Sequence, residues 1–145
     1  MRTPFALIVS AFIDALDATP AIADVVLRAS DRAAPEDKAK AINVVFMGAS
    51  PQRGTINGAP VDWLSRIGVE CYAKTKNDTP DVVVDDVMKA AYERLASDRT
   101  LGGVVDDIGE PEIRAEYDSH GQKTGWVLMT YTVLHRTQNN TLEAA

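Results

Sequence analysis

VDWLSRIGVECYAKTKNDTPDVVVDDVMKAAYERLASDRTLGGVV, residues 61–105, decides the fold. It reads as a strand, a polar turn, an amphipathic helix and a glycine stop, and the other strands and the first helix are expected to pack around it. Residues 64–74 alternate in character. Leu64, Arg66, Gly68, Glu70 and Tyr72 share one side, and Ser65, Ile67, Val69, Cys71 and Ala73 share the other. The second side is mainly apolar and should lie against helices. The first carries charges and an aromatic ring, so it should be partly exposed or meet another chain.

Thr79-Pro80 is a helix-start signal, because threonine can cap and proline lacks only an N–H that the first turn leaves unused. Val84, Val87, Met88, Ala91, Tyr92 and Leu95 then fall on one helical face. Asp81, Asp85 and Asp86 near the start, and Arg94 and Arg99 near or past the end, complement the helix dipole. Asp85 and Lys89 stand four apart in the favourable order. The β-branched run Val82-Val83-Val84 loses rotamer freedom in a helix, which leaves an extended start up to Val84 as an alternative. Gly102-Gly103 ends the segment.

Outward from this stretch, Phe5, Ile8, Val9, Phe12, Ile13 and Leu16 keep a helical period, predicting a helix over residues 3–17 that ends at Thr19-Pro20. Its polar face lacks the lysines and arginines of a membrane-surface helix, so core packing is expected. Residues 21–30 and 41–47 read as strands joined by a polar connection, residues 33–40. An antiparallel hairpin is the expected pairing. Residues 48–60 hold three glycines and two prolines and read as a long exposed loop, either a mobile arm that orders on a partner or a plain surface loop. Its glycines lack P-loop spacing. Residues 104–108 suggest a short strand or turn. In residues 111–117, Ile113, Ala115 and Tyr117 alternate with Glu112, Arg114 and Glu116. Residues 118–125 form a turn with Gly121 and Gly125, and residues 126–135 alternate with large apolar groups on both faces, as a central strand does.

The elements sum to one α+β domain over residues 1–137. It has a mixed, mainly antiparallel sheet of about four to five strands flanked by two main helices, with a flexible tail at 138–145. A chain of 145 residues can bury a real core, and its 46% hydrophobic and 25% charged content is ordinary for a globular domain. Net charge is −6, unevenly spread: residues 78–118 hold twelve acids against Lys89, Arg94, Arg99 and Arg114, a local balance of −8. That region does not suit a phosphate backbone, which needs clustered basic groups. Two readings remain, a solvated acidic surface or a surface that repels nucleic acid or meets a basic partner. The single cysteine excludes an intrachain disulfide and points to a reducing compartment. No run approaches the length of a membrane span, and no signal peptide is expected.

Cys71, His120 and His135 are the raw material for a thiol nucleophile with a base. Cys71 falls on the apolar side of its strand, where a small inert core residue is expected. One cysteine and two distant histidines do not make a zinc site, and Asp106, Asp107, Glu110 and Glu112 lack calcium-loop spacing. No catalytic, cofactor or metal residue is therefore assigned.

Three segments in order resemble the tail terminator proteins of long-tailed bacteriophages, also known as minor tail protein U-like or tail completion proteins. The first is Pro60-Val61-Asp62-Trp63 leading into Ile67-Gly68-Val69-Glu70-Cys71-Tyr72-Ala73-Lys74. The second is Leu95-Ala96-Ser97-Asp98 followed by Arg99-Thr100-Leu101-Gly102-Gly103-Val104. The third is Trp126-Val127-Leu128-Met129-Thr130-Tyr131-Thr132-Val133. The resemblance covers residues 61–137, with the opening helix and first hairpin in compatible positions. It implies a non-enzymatic virion subunit with a mixed sheet flanked by helices, assembled in the host cytoplasm and located at the neck end of the tail. Six copies would close a ring on the tail tube, end its polymerisation and present a surface to the head–tail connector. DNA would pass through the lumen without specific binding, a role compatible with an acidic surface. No cofactor and no membrane are implied. A heterologous contact with closing rotation makes such a ring. Gln52, Arg53 and Asn57 of the glycine-rich loop are candidates for contacts with a neighbouring ring or the tube, and Trp63, Glu70 and Tyr72 for subunit contacts. Two rivals stand beside this reading: another neck protein, such as a head-closure or head–tail adaptor protein, and a small enzyme or ligand-binding domain using Cys71 or the acidic cluster.

Overall fold

The computed structural model describes residues 2–29, 38–52, 58–118, 123–139 and 141–145. The chain runs α1 (Pro4–Leu16), β1 (Val25–Arg28), β2 (Lys40–Pro51), β3 (Val61–Thr75), α2 (Pro80–Ala96), β4 (Asp107–Ile108), β5 (Glu112–Asp118) and β6 (Lys123–Thr137). The described residues form a single α+β domain with a mixed six-stranded sheet and two helices. The order is β1-β2-β3-β6-β4, with β5 also on β6. The sixth strand, beyond the four or five expected, is the two-residue β4, which falls within residues 104–108, read as a short strand or turn.

Both helices cover the same face of the sheet. Ile8, Phe12 and Leu16 of α1 and Val84, Val87, Ala91 and Leu95 of α2 meet Ile42, Val44, Ile67, Val69, Cys71, Val127, Met129 and Val133 in one core. Burying each of the larger of these side chains stabilises the fold by roughly 1.5–3 kcal/mol relative to exposure. On β3 the apolar side is the side read from alternation, from the buried Ser65 through Ala73. In α2 the buried positions Pro80, Val84, Val87, Ala91 and Leu95 keep the helical period. Val82-Val83-Val84 is helical rather than extended, because Val84 is drawn against Gly125 of β6. A Cβ on Gly125 would run into the Pro80 carbonyl oxygen and the Val84 side chain, so the missing side chain lets the first turn of α2 close on the sheet. Gly125 is therefore a strand residue, paired with Ala73 and Tyr117, and not part of the turn.

Three further expectations are corrected. β1 and β2 pair in parallel, with Val25 beside Ala41 and Arg28 beside Val44. The Asp24 carboxylate accepts the Ala39 and Lys40 N–H groups at 3.1 and 3.0 Å, which fixes the starts of both strands at the same end. The region read as a loop from residue 48 continues β2 to Pro51, after a register shift between Phe46 and Gly48. β1 ends at a partner of Val44, so among the described residues no strand lies on the outer side of Pro51 and its missing N–H breaks no ladder. Lys89 makes its ion pair with Glu93 at 2.8 Å, and Asp85 adds only a smaller through-space attraction.

α1 and the C-terminal end of α2 are joined by Arg94. Its guanidinium donates to the carbonyls of Ala15, Ala18 and Pro20 at 2.9, 2.9 and 2.6 Å, satisfying groups that the end of α1 leaves open. Near the C-terminus, Thr137 bridges to Ala144 and the Gln138 N–H bonds the Glu143 carbonyl, so residues 141–145 turn back on the end of β6. The inner part of the glycine-rich loop with Arg53 and Asn57, most of the connection between β1 and β2, and the β5–β6 turn with His120 and Gly121 lie outside the described residues.

Candidate assembly surface

The second face of the sheet carries no helix among the described residues. It is built by cross-strand pairs on β3 and β6: Leu64 with Leu134, Arg66 with Thr132, Gly68 with Thr130, Glu70 with Leu128 and Tyr72 with Trp126. Side chains of one parity face the helices, which leaves the other parity to form this surface. Arg66, Thr132, Leu134 and Arg136 are exposed, while Leu64, Glu70, Tyr72, Trp126 and Leu128 are half-buried. Towards β1 the same face closes, with Ala41 and Asn43 buried.

Two glycines flatten the centre of this surface. Met47, 45% exposed, lies across Gly68, where its sulfur would stand 2.8 Å from a Cβ, with Leu128 beside it. The Arg66 guanidinium lies over Gly48 in the same way, 2.9 Å from a Cβ position. Polar groups are held at both ends. Trp126 Nε1 donates to Glu70 Oε2 at 3.1 Å. Arg136 grips Asp62 with two bonds, 2.6 and 3.2 Å, and that contact holds the Asp62 carboxyl below its usual range. Both partners remain solvated, so the pair fixes geometry more than it stabilises. The result is a flat surface of leucine, methionine and aromatic groups bordered by arginine and carboxylate. Aromatics, methionine and arginine are the types enriched in protein–protein contacts.

Of the expected contact residues, Glu70 and Tyr72 fall on this face, next to Trp126. Trp63 falls on the other. Its ring packs edge-on to Phe5 at 5.4 Å and its Nε1 donates to Thr137 Oγ1 at 2.9 Å, so it anchors the start of α1. Gln52 lies at the end of β2 with its backbone N–H on the Asp62 carbonyl. Arg53 and Asn57 are outside the described residues. Met47, Arg66, Trp126 and Leu134 were not singled out from sequence, although alternation on β3 and β6 places the last three beside Glu70 and Tyr72.

Cys71 is fully buried, and burial, helped by the Glu70 carboxylate, pushes its thiol up to about 12. A thiol in that state is not a nucleophile near neutral pH. His135 and Ser65 form a close pair, Nε2 to Oγ 2.7 Å, but both are buried, His135 against Phe5, and neither reaches solvent as a catalytic base or nucleophile would. Glu110 accepts from Tyr92 at 2.6 Å and from Arg99 at 2.7 Å, and these contacts hold its carboxyl low. It ties the segment before β5 to α2. Among the described residues no cluster of three or more histidine, cysteine or acidic side chains is placed to hold a metal ion. No described helix is long and apolar enough to cross a membrane.

No protein-family model matches the chain, and no curated protein matches it in sequence.

Proposed function

We propose that this chain is a structural subunit of a long-tailed bacteriophage, a tail terminator that closes as a ring of six on the end of the tail tube and stops its growth. The observation that carries this reading is the flat mixed face of β3 and β6, set opposite a core that both helices already complete. The fold does not need that face for its own core, and its leucines, Met47, Trp126 and Tyr72 suit a repeated contact with neighbouring subunits. The three segments that carry the family resemblance supply parts of this framework: β3, the end of α2 with its glycine turn, and β6. The acidic stretch from α2 to β5 suits a wall past which DNA slides without being held. The ring would offer its outer end to the head–tail connector.

Light scattering on a size-exclusion peak, run with and without purified tail tubes, tests the reading. The chain should leave its own elution position and co-elute with tubes at about six copies per capped end. A chain that stays at its own position when tubes are added at high concentration would overturn the proposal.

A further inference from the structure

β5 is an edge strand. It pairs with β6 on one side, and among the described residues nothing pairs with its other side. A free seven-residue edge is a template for another strand unless the protein blunts it. The pattern on this edge is informative. Register with β6 puts Ile113, Ala115 and Tyr117 on the helix side and Glu112, Arg114 and Glu116 on the open side. Helix α2 does not cover the apolar three: Ile113 is 54% and Tyr117 53% exposed. Between Ile113 and α2 lies an apolar groove of about 260 Å³, lined by Met88, Lys89, Tyr92, Ile113 and Met129.

The charges on the open side discriminate among the ways in which this strand can meet its own copy. Antiparallel pairing centred on Arg114 would oppose Arg114 to Arg114 and Glu112 to Glu116, a like-charge match at every position. Centring on Ala115 opposes Arg114 of each copy to Glu116 of the other, twice by symmetry. It also sets Ile113 of each copy against Tyr117 of the other on the helix side, twice again. Only the strand ends, Glu112 against Asp118, are like-charged. Opposite charges and aromatic–β-branched pairs directly across a ladder stabilise it, and like charges destabilise it. Centring on Ile113 also opposes Glu112 to Arg114, but it brings Pro111 into the ladder and leaves Tyr117 out.

We infer that β5 pairs antiparallel with β5 of a second copy of this chain, about a twofold axis through Ala115, joining two sheets into one. The contact is isologous and therefore distinct from the heterologous contact of a ring. It rests on the edge strand and does not depend on the terminator reading.

The test is sedimentation velocity on the full chain from about 1 to about 200 µM, a range that spans weak association. The mass should move from one subunit to two. Arg114→Glu and Glu116→Arg should each raise the midpoint by on the order of tenfold or more, since each turns two attractive pairs repulsive. The double variant R114E/E116R should restore the dimer, because the pairs reform with reversed sign. Both side chains are exposed, so far-ultraviolet circular dichroism should be unchanged. A single-subunit mass throughout, or a dimer indifferent to the single variants, or a double variant that does not recover, would overturn the pairing. Binding of the same variants to tail tubes is scored separately, so failure of this contact and failure of the ring reading are distinguishable.

Discussion

His135 is a buried titratable residue whose protonation links the stability of the fold to pH. Its ring is buried, Ser65 partners Nε2 at 2.7 Å, and Nδ1 has no partner among the described residues. Phe5 packs edge-on against it at 5.1 Å. Burial lowers its pKa from the ordinary 6.5, against a smaller opposing pull from Asp106. Above 6.5 the ring is neutral in both folded and unfolded chains and the difference contributes nothing. As pH falls through 6.5 the unfolded chain takes up the proton first, so stability is lost until the folded ring protonates as well. Denaturant midpoints measured from pH 8 down to pH 5 should fall below about 6.5. His135→Leu should lose that part of the slope, and an unchanged slope in the variant would place the titration elsewhere. Little of this was legible in sequence. His135 reads there as a strand-end residue, and only the three-dimensional pairing of β3 with β6 brings Ser65 to it. Trp63 is different: strand parity from Ser65 alone sets it on the helix side, away from Glu70 and Tyr72, so the signal was present in the alternation.

Gly125 decides how closely α2 approaches β6. Gly125→Ala should destabilise the fold by about 1–3 kcal/mol through overpacking against the first turn of α2. The check is a lower denaturant midpoint with an unchanged slope, and a neutral result would mean that α2 moves away without cost. In sequence this glycine looks like a turn residue, because a close approach between distant segments has no local signature. The alternation of β3 and the period of α2 were legible, since one buried face imposes the spacing. The end of β2 was not: Gly48 and Pro51 carry loop chemistry, yet the strand tolerates them where, among the described residues, it has no outer neighbour. Strand direction was not legible either. Alternation is the same in both senses, and the parallel arrangement of β1 and β2 depends on the Asp24 contacts at their shared end.

Among the described residues, one face of the sheet is packed by helices and the β3–β6 part of the other face is not. Both helices complete the core on the first, and the second presents Leu64, Leu134, Met47, Trp126 and Tyr72 among arginines and carboxylates. The sequence foreshadowed a mixed face on β3 but not its extent, which depends on β6 lying beside β3 along its full length. Net charge is −6, with a local balance of −8 between residues 78 and 118, and under the proposed terminator role that acidity would keep passing DNA from being held. The most direct measurement is the length of tail tubes polymerised from purified tube protein, by negative-stain electron microscopy, with the chain added midway. The terminator reading predicts that lengths stop increasing at the moment of addition and that tube ends carry a ring. Tubes that go on lengthening with bare ends would contradict it.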